Sequence, residues 1–323
     1  MVMAAWLDGL NERQESAVTA PFGNTLVLAG AGSGKTKVLV SRIAWLVEHE
    51  HISPHAILAV TFTNKAAGEM KSRLSTLLSC PVQGLWVGTF HGLCHRLLRR
   101  HYEEARLPEQ FHILDSEDQA RIIKRVIVGL NLDIEQWPVK QAQSFINGRK
   151  DEGLRPQHVH ALQYGPTRTL LEIYKGYEQA CQRGGVIDFA ELLLRTHELL
   201  RDNKELLSHY QQRFRAILVD EFQDTNFSQL SVIEELCKKN GNVCVVGDDD
   251  QSIYSWRGAM YEVLEQFEQL FPGTKIIKLE QNYRSTQNIV NVSNSVIANN
   301  KNQLKKTIFS ENETGDKIKV SRA

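Results

Sequence analysis

Short apolar segments rich in β-branched residues recur along the chain, and stretches with helical spacing separate most of them. These segments predict strands at residues 25–28, 57–61, 85–87, 216–219, 243–246 and 275–279. Continuous apolar runs of this kind are typical of strands that are buried on both faces of a parallel sheet. Val38, Leu39, Ile43, Leu46 and Val47 follow the first strand with the spacing of one helix face. The alternation predicts an α/β fold, in which helices cover an open parallel sheet.

The alternation stops between residues 91 and 213, where we expect no strand. Helical spacing dominates this part, and it predicts helices at residues 91–105, 116–128, 138–150, 168–182 and 189–200. Asp115 or Ser116 is suited to cap the second of these helices. We therefore expect an all-helical domain of residues 91–213, inserted into a domain that is formed by residues 1–90 and 214–280.

The composition narrows the classes of function. The chain has 38 basic and 38 acidic residues, which argues against a protein coated in positive charge but allows a locally basic groove for nucleic acid. No apolar run reaches the ~18 residues of a membrane span, and the first ten residues do not have the pattern of a secretory signal. Five scattered cysteines without a C-x-x-C pair predict reduced thiols in a cytoplasmic protein.

The strongest chemical signal is the run AGAGSGKT at residues 29–36. It follows an apolar strand and opens an amphipathic helix, which is the context that a phosphate-binding loop requires. Small residues let backbone N–H groups surround phosphates, and the helix N-terminus adds the positive end of a dipole. We expect Lys35 to hold the β- and γ-phosphates of ATP and the Thr36 hydroxyl to bind Mg²⁺. The residues expected to surround the phosphates are Ala31, Gly32, Ser33 and Gly34.

Two carboxylates follow the strand predicted at residues 216–219. Asp220 and Glu221 stand at its carboxyl end, where open α/β sheets bind their ligands. Asp220 is placed to hold Mg²⁺, and Glu221 is the candidate general base for the attacking water. A strand that ends in Asp-Glu is a weak signal alone, but together with the phosphate loop it predicts nucleotide hydrolysis.

A further run, GDDDQSIYSWRG at residues 247–258, leaves the next strand. Gln251 is expected at the sheet edge, where it could sense the γ-phosphate. Tyr254 and Trp256 could stack on unpaired bases at ~1–3 kcal/mol each, although an aromatic pair in the core would give the same pattern. Groups suited to contacts with a nucleic-acid backbone follow two other strands, namely Thr63, Asn64 and Lys65 after one and Thr89 and His91 after the next.

These motifs in order resemble the superfamily 1 DNA helicases of the UvrD, PcrA and Rep group over essentially the whole chain. The matching runs are LNERQ at 10–14, AGAGSGKT at 29–36, TFTNKAA at 61–67, GTFHGLCHRLLR at 88–99, DF at 188–189 with ELL at 191–193, DEFQD at 220–224, GDDDQSIYSWRGA at 247–259 and QNYRS at 281–285. The resemblance implies a RecA-like motor domain with a helical accessory domain. It also implies that residues 281–323 begin a second, truncated RecA-like domain.

The resemblance also implies roles for single residues. Gln14 would read the edge of adenine, Tyr283 and Lys37 would flank the base, and Arg284 would reach the γ-phosphate as an arginine finger. Relatives often carry Arg at the position of Lys37, and a lysine stacks less well than a guanidinium. The single-strand track would consist of Phe62, Tyr254, Trp256 and Arg257.

The implied function is that of an ATP-dependent DNA helicase with 3′→5′ polarity. It would use ATP and Mg²⁺, act on single-stranded DNA and single-strand/duplex junctions in DNA repair, work with repair proteins and have no membrane partner. We expect the chain to be the front part of a longer enzyme. Alternatives are a related motor such as Rep, the helicase subunit of a recombination nuclease, and a nucleotide-gated module that binds single strands without motor activity. A small-molecule kinase would leave the segment 254–257 unexplained.

Overall fold

The computed structural model describes residues 5–159, 165–239, 241–254, 259–300 and 303–319. The chain forms two compact units. We call residues 1–89, 209–225 and 236–323 the sheet unit, and residues 90–208 and 226–235 the helical unit. The domain boundaries that we expect from the sequence stay a prediction. Within the described residues, no helix is both long and apolar enough to cross a membrane.

The sheet unit is built on six parallel strands. The strands are β1 (Thr25–Ala29), β2 (Ile57–Thr61), β3 (Trp86–Thr89), β6 (Ala216–Val219), β7 (Val243–Gly247) and β8 (Lys275–Leu279). Their order across the sheet is β3-β2-β6-β7-β1-β8, and every neighbouring pair is parallel. β1, β2, β6 and β7 are buried along their whole length, as their continuous apolar runs predict. The α/β fold with a parallel sheet is confirmed.

The sheet unit also contains helices. They are α1 (Glu12–Val18), α2 (Lys35–Glu48), α3 (Asn64–Leu77), α11 (Phe267–Leu270) and α12 (Gln287–Ile297). Apolar side chains of α1, α2 and α3 form one core with the inner strands. Because all strands run parallel, the segments that follow their carboxyl ends meet at one edge of the sheet. The predicted nucleotide residues that follow β1, β6 and β7 therefore come to a single edge.

The helical unit has its own apolar core, in which Tyr174 and Tyr177 are fully buried. Its helices are α4 (Phe90–Arg100), α5 (Ser116–Gly129), α6 (Val139–Asp151), α7 (Pro166–Gly184) and α8 (Phe189–Asp202), and the chain continues through α9 (Lys204–Arg213) and α10 (Phe227–Cys237). Asp115 caps α5, since its carboxylate accepts from the backbone N–H groups of Glu117 and Asp118. Capping by Asp115 is one of the two alternatives that the sequence predicts.

The expectation that this part contains no strand is wrong. β4 (His112–Ile113) and β5 (Val186–Ile187) pair in parallel. Two-residue strands are too short to produce a periodic pattern, so the sequence does not predict them. α9 is a second difference, because the sequence pattern does not predict it.

Candidate nucleotide-binding site

The loop between β1 and α2 is a tight turn that only glycine can form at two positions. Gly32 and Gly34 have φ angles of +69° and +85°, in the left-handed region that favours glycine. A Cβ atom on Gly34 would lie 2.8 Å from Nε2 of Gln14. The Ser33 hydroxyl donates to the carbonyl of Gly30 (2.7 Å), which closes the turn. α2 then begins at Lys35, so its N-terminal N–H groups face the loop as phosphate binding requires.

Lys35 and Glu221 are in direct contact. The Lys35 ammonium lies 2.9 Å from Oε2 of Glu221, and the buried Gln223 amide donates to the same oxygen at 2.8 Å. Glu221 has a left-handed backbone (φ +50°), which is uncommon for a residue with a side chain. The structure thus brings together two residues that stand 186 positions apart, the predicted phosphate-binding lysine and the predicted general base.

Negative charge exceeds positive charge around this pair. Burial, together with the charge of Glu221, raises the pKa of Asp220 to about 6, although Lys35 opposes the shift. The same causes raise the pKa of Asp224 to about 6, and among the described residues its Oδ1 atom is buried without a hydrogen-bond partner. Oxygen ligands with excess negative charge suit Mg²⁺. The residues therefore fit the predicted ion, with Asp220 on β6 and the Thr36 hydroxyl in the first turn of α2.

Gln14 lies under the phosphate loop. It is 2% exposed, and it forms a capping box at the start of α1 with Asn11, whose side chain accepts from the Gln14 N–H. Its Nε2 group donates to the carbonyl of Ser33 (2.8 Å). Gln14 therefore joins the first helix to the phosphate loop, and its contact with adenine stays a prediction.

Tyr283 and Lys37 both contact the segment that precedes α1. The Tyr283 hydroxyl accepts from Nδ2 of Asn11 (2.6 Å), and its backbone N–H donates to the carbonyl of Gly32 (3.0 Å). The Lys37 ammonium donates to the carbonyl of Gly9 (2.7 Å). The two residues that are predicted to flank the base are thus gathered around residues 9–11.

Asn282 is a site residue that the sequence pattern does not single out. It is 6% exposed, and its Nδ2 group donates to the carbonyl of Ala31 (2.6 Å). Its Oδ1 atom accepts from the N–H groups of Arg284 and Ser285 (2.9 and 2.7 Å). A Cβ atom on Gly32 would lie 2.8 Å from Cβ of Arg284, so the backbone of this predicted finger runs against the phosphate loop. The position of Asn282 inside the run QNYRS is the only signal of its role in the sequence.

Gln251 joins the same network through the turn after β7. Its amide donates to the carboxylate of Asp248, and the backbone N–H of Asp248 donates to Oε1 of Gln223 (3.0 Å). Gln223 is a second residue that the sequence does not single out, although it lies in the run DEFQD. Its single amide links Asp248 to Glu221 and so joins the turns after β6 and β7.

The predicted DNA contacts in the sheet unit include one aromatic pair. Phe62 and Tyr254 stack with ring centroids 5.3 Å apart and planes at 21°, and both are half-buried. Thr63 caps α3, and Thr63, Asn64 and Lys65 are exposed, whereas Thr89 is half-buried. Trp256 and Arg257 lie outside the described residues. Half-buried rings are neither fully packed in the core nor fully exposed to solvent. Stacking of these rings on bases therefore stays a prediction.

His91 belongs to the helical unit, in the first turn of α4. Its ring meets that of Phe189 edge-on, with centroids 5.7 Å apart. Burial lowers the pKa of His91, so the ring is neutral at pH 7. A contact between His91 and DNA would therefore be a hydrogen bond rather than an ion pair.

Comparisons with known proteins agree with this geometry. The family model of the UvrD/REP helicase N-terminal domain matches residues 10–272, and that of the UvrD-like helicase C-terminal domain matches residues 277–323. DNA helicase II of Escherichia coli is 54% identical over 314 residues, which cover 97% of this chain and 44% of that protein. ATP-dependent DNA helicase PcrA of Bacillus subtilis is 40% identical over 98% of this chain and 43% of its own length. The chain thus spans less than half the length of these relatives.

Proposed function

The chain belongs to the UvrD/REP helicase family, and we propose that it is the ATP-binding part of a DNA helicase that moves along single-stranded DNA. The observation that carries the proposal is the contact between Lys35 and Glu221. This contact joins the start of α2 to the end of β6 at the sheet edge. A phosphate-binding lysine and a carboxylate base are both needed at that point to hydrolyse a nucleoside triphosphate.

Each residue at the edge has a task in this proposal. Lys35 and the loop of residues 31–34 hold the phosphates. Thr36 and Asp220 would hold Mg²⁺, which would supply positive charge to offset that of the phosphates. Glu221 accepts the proton of the attacking water. The Gln223 amide fixes the Glu221 carboxylate through its 2.8 Å hydrogen bond.

Contacts from outside the phosphate loop complete the nucleotide site. Gln251 senses the γ-phosphate and Arg284 stabilises its developing charge. Gln14, Lys37 and Tyr283 hold the adenine base.

In this proposal, single-stranded DNA contacts residues of the sheet unit and, at His91, the helical unit. Phe62, Tyr254 and Trp256 stack on bases, while Arg257 and Lys65 contact phosphates. Thr63, Asn64, Thr89 and His91 add hydrogen bonds to the strand. The parent enzyme acts in the cytoplasm, in DNA repair, with 3′→5′ polarity. Its relatives extend well beyond the part that this chain matches, and a second motor domain supplies the surface against which ATP closes the cleft.

Two substitutions test the nucleotide chemistry, and the readouts are MgATP affinity and hydrolysis. Lys35→Ala removes the lysine of the phosphate loop and should abolish MgATP binding. Glu221→Gln should keep MgATP binding but lose hydrolysis, because an amide cannot accept the proton. Lys71→Ala, an exposed lysine of α3, is the matched control. Normal hydrolysis by Glu221→Gln would refute the assignment of the base.

The motor function is tested with the parent enzyme on duplexes that carry a 3′ or a 5′ single-stranded tail. ATP-dependent strand displacement from the 3′-tailed duplex alone is the expected result. Displacement from the 5′-tailed duplex would contradict the polarity. An ATPase without any displacement would favour a nucleotide-gated binding module instead.

A further inference from the structure

A lysine from the end of the chain is buried in the acidic turn after β7. The Lys306 ammonium lies 2.8 Å from Oδ1 of Asp248, 2.5 Å from Oδ1 of Asp249 and 2.6 Å from Oδ2 of Asp250. Its side chain is 2% exposed. The three carboxylates offer oxygens that lie within 4.8 Å of one another, which is a spacing suited to a metal ion. In this fold the ammonium of Lys306 contacts all three and offsets part of their charge.

The charge of Lys306 is secured by its neighbours. Burial by itself would lower the pKa of Lys306, but the three aspartates outweigh it and raise the pKa. The backbone around the lysine is held as well, because the N–H of Leu304 donates to Oδ2 of Asp249 (2.7 Å). The N–H of Thr307 donates to Oε1 of Glu280 (2.8 Å). Lys306 is therefore a fixed cation rather than a loosely held surface lysine.

Asp248 connects this lysine to the nucleotide edge. Its backbone N–H donates to Oε1 of Gln223 (3.0 Å), and Nε2 of Gln223 donates to Oε2 of Glu221 (2.8 Å). The same Glu221 oxygen binds Lys35 at 2.9 Å. The other branch is the side chain of Asp248, which accepts from the amide of Gln251. Two hydrogen-bonded paths therefore begin at Asp248, which Lys306 contacts: one leads through Gln223 to Glu221, and the other leads to Gln251.

We propose that Lys306 is a positioning residue for the nucleotide site, which fixes Glu221 and Gln251 through Asp248. This inference rests on the proposed function, because it concerns the residues that face the γ-phosphate. Without the ammonium, three close carboxylates repel one another, and the turn after β7 opens. Asp248 then moves, so Gln223 no longer holds Glu221 and Gln251 loses its acceptor.

The test compares the dissociation constants of MgADP and MgATP in purified variants. We use the dissociation constant of MgADP divided by that of MgATP, a ratio that reports on contacts with the γ-phosphate. A general loss of stability does not change this ratio. Lys306→Met should lower the ratio by about tenfold, the effect of losing one hydrogen bond to a charged group. Lys306→Arg should keep most of the ratio. Adding Asp250→Asn to Lys306→Met should restore part of it, because one of the repelling charges is removed.

The matched control is Lys305→Met, which removes an exposed lysine from the neighbouring position and should leave the ratio unchanged. A folded Lys306→Met protein with the wild-type ratio would overturn the inference, even if its melting temperature fell. If the unsubstituted chain binds neither nucleotide, the proposed function is wrong. Hydrogen exchange at the Asp248 amide then tests, without nucleotide, whether Lys306 holds Asp248 in place. Faster exchange in Lys306→Met than in Lys305→Met would support the inference, whereas equal exchange would overturn it.

Discussion

The two units each contain a cluster of buried charges, and the clusters differ in how completely the charges are balanced. In the helical unit, Lys150 lies 2.8 Å from Asp188 and 2.9 Å from Glu191. Arg155 binds Glu191 at 2.8 Å, and it also pairs with Glu178 and Glu198. In the sheet unit, Lys35 faces Glu221 while Asp220 and Asp224 add further negative charge.

The pKa shifts follow from this difference. Burial would raise the pKa of Glu191, but Lys150, Arg155 and Arg195 lower it well below its usual value. The pKa of Asp220 moves the other way and rises to about 6. Three cations face four carboxylates in the helical unit, whereas one lysine faces three carboxylates at the sheet edge. We call the first, nearly neutral cluster the balanced network and the second the unbalanced cluster. A buried network whose charges nearly match can hold a fold without a ligand, whereas buried carboxylates with too few cations favour a bound metal ion.

The run that contains Asp188 and Glu191 differs from AGAGSGKT and DEFQD in where its contacts lie. Asp188 and Glu191 belong to a run that resembles the helicase family, yet their contacts are internal. Asp188 caps α8 through the N–H of Glu191 (2.7 Å), and it accepts from the Tyr177 hydroxyl (2.7 Å). The contacts of this run lie within the helical unit, while AGAGSGKT and DEFQD form the sheet edge at which we propose the nucleotide site.

The largest expected effect is the loss of one cation from the balanced network. Arg155→Met leaves the buried Glu191 and the half-buried Glu198 with fewer partners, and it should lower the free energy of unfolding by about 3–5 kcal/mol. Urea unfolding followed by circular dichroism measures this change. Lys175→Met breaks an exposed pair with Glu172 and should cost less than about 1 kcal/mol. Equal, small losses in both proteins would show that the network does not stabilise the unit.

Asp151 is the exception within the helical unit. Burial, together with the charges of Asp188 and Glu152, raises its pKa from 3.8 to about 7. Because the folded pKa lies above the unfolded value, the stability gained from the protonated form is fully present below pH 3.8 and is lost as the pH rises through 7. At pH 8, Asp151→Asn should therefore raise the free energy of unfolding by roughly 4 kcal/mol.

The measurement is urea unfolding of Asp151→Asn and wild type from pH 5 to 8. The wild type should lose stability across this range while the variant changes less. Asp118→Asn, which alters an exposed carboxylate of α5, is the control. Parallel pH profiles for Asp151→Asn and wild type would contradict the shift.

A smaller gain in stability is expected when a carboxylate is removed from the unbalanced cluster. Asp220→Asn should raise the free energy of unfolding by about 3 kcal/mol at pH 7 in EDTA, because a buried charge with a raised pKa disappears. The same change should weaken Mg²⁺-dependent ATP binding. Thermal unfolding and MgATP titration measure the two effects, with the exposed Asp8→Asn as control. A variant that is less stable and binds MgATP normally would contradict both expectations.

The sheet and its edge are readable from the sequence because burial on both faces produces continuous apolar runs. Each run that precedes a motif, such as Thr25–Ala29 before the phosphate loop, is found within a residue or two of its bounds. The phosphate loop is equally readable, since left-handed φ angles at Gly32 and Gly34 demand glycine.

The sequence does not reveal contacts between side chains that stand far apart in the chain. Lys306 meets Asp249 across 57 positions, and Asn282 meets Ala31 across 251. Neither contact leaves a local pattern, because the spacing depends on how the segment after β8 returns to the sheet edge. The sequence pattern does not predict the two-residue strands β4 and β5 for a related reason, since they form only by pairing with each other.

The most direct test of the account is the shift in melting temperature that MgATP produces in three proteins. A ligand that binds only the folded state at about 100 times its dissociation constant adds about 2.7 kcal/mol of stability. Wild type should show this shift. Lys150→Met should melt at a lower temperature yet keep the MgATP shift, because its lysine belongs to the balanced network. Lys35→Met should lose the shift. A full MgATP shift in Lys35→Met would contradict the claim that the unbalanced cluster at the sheet edge is the nucleotide site.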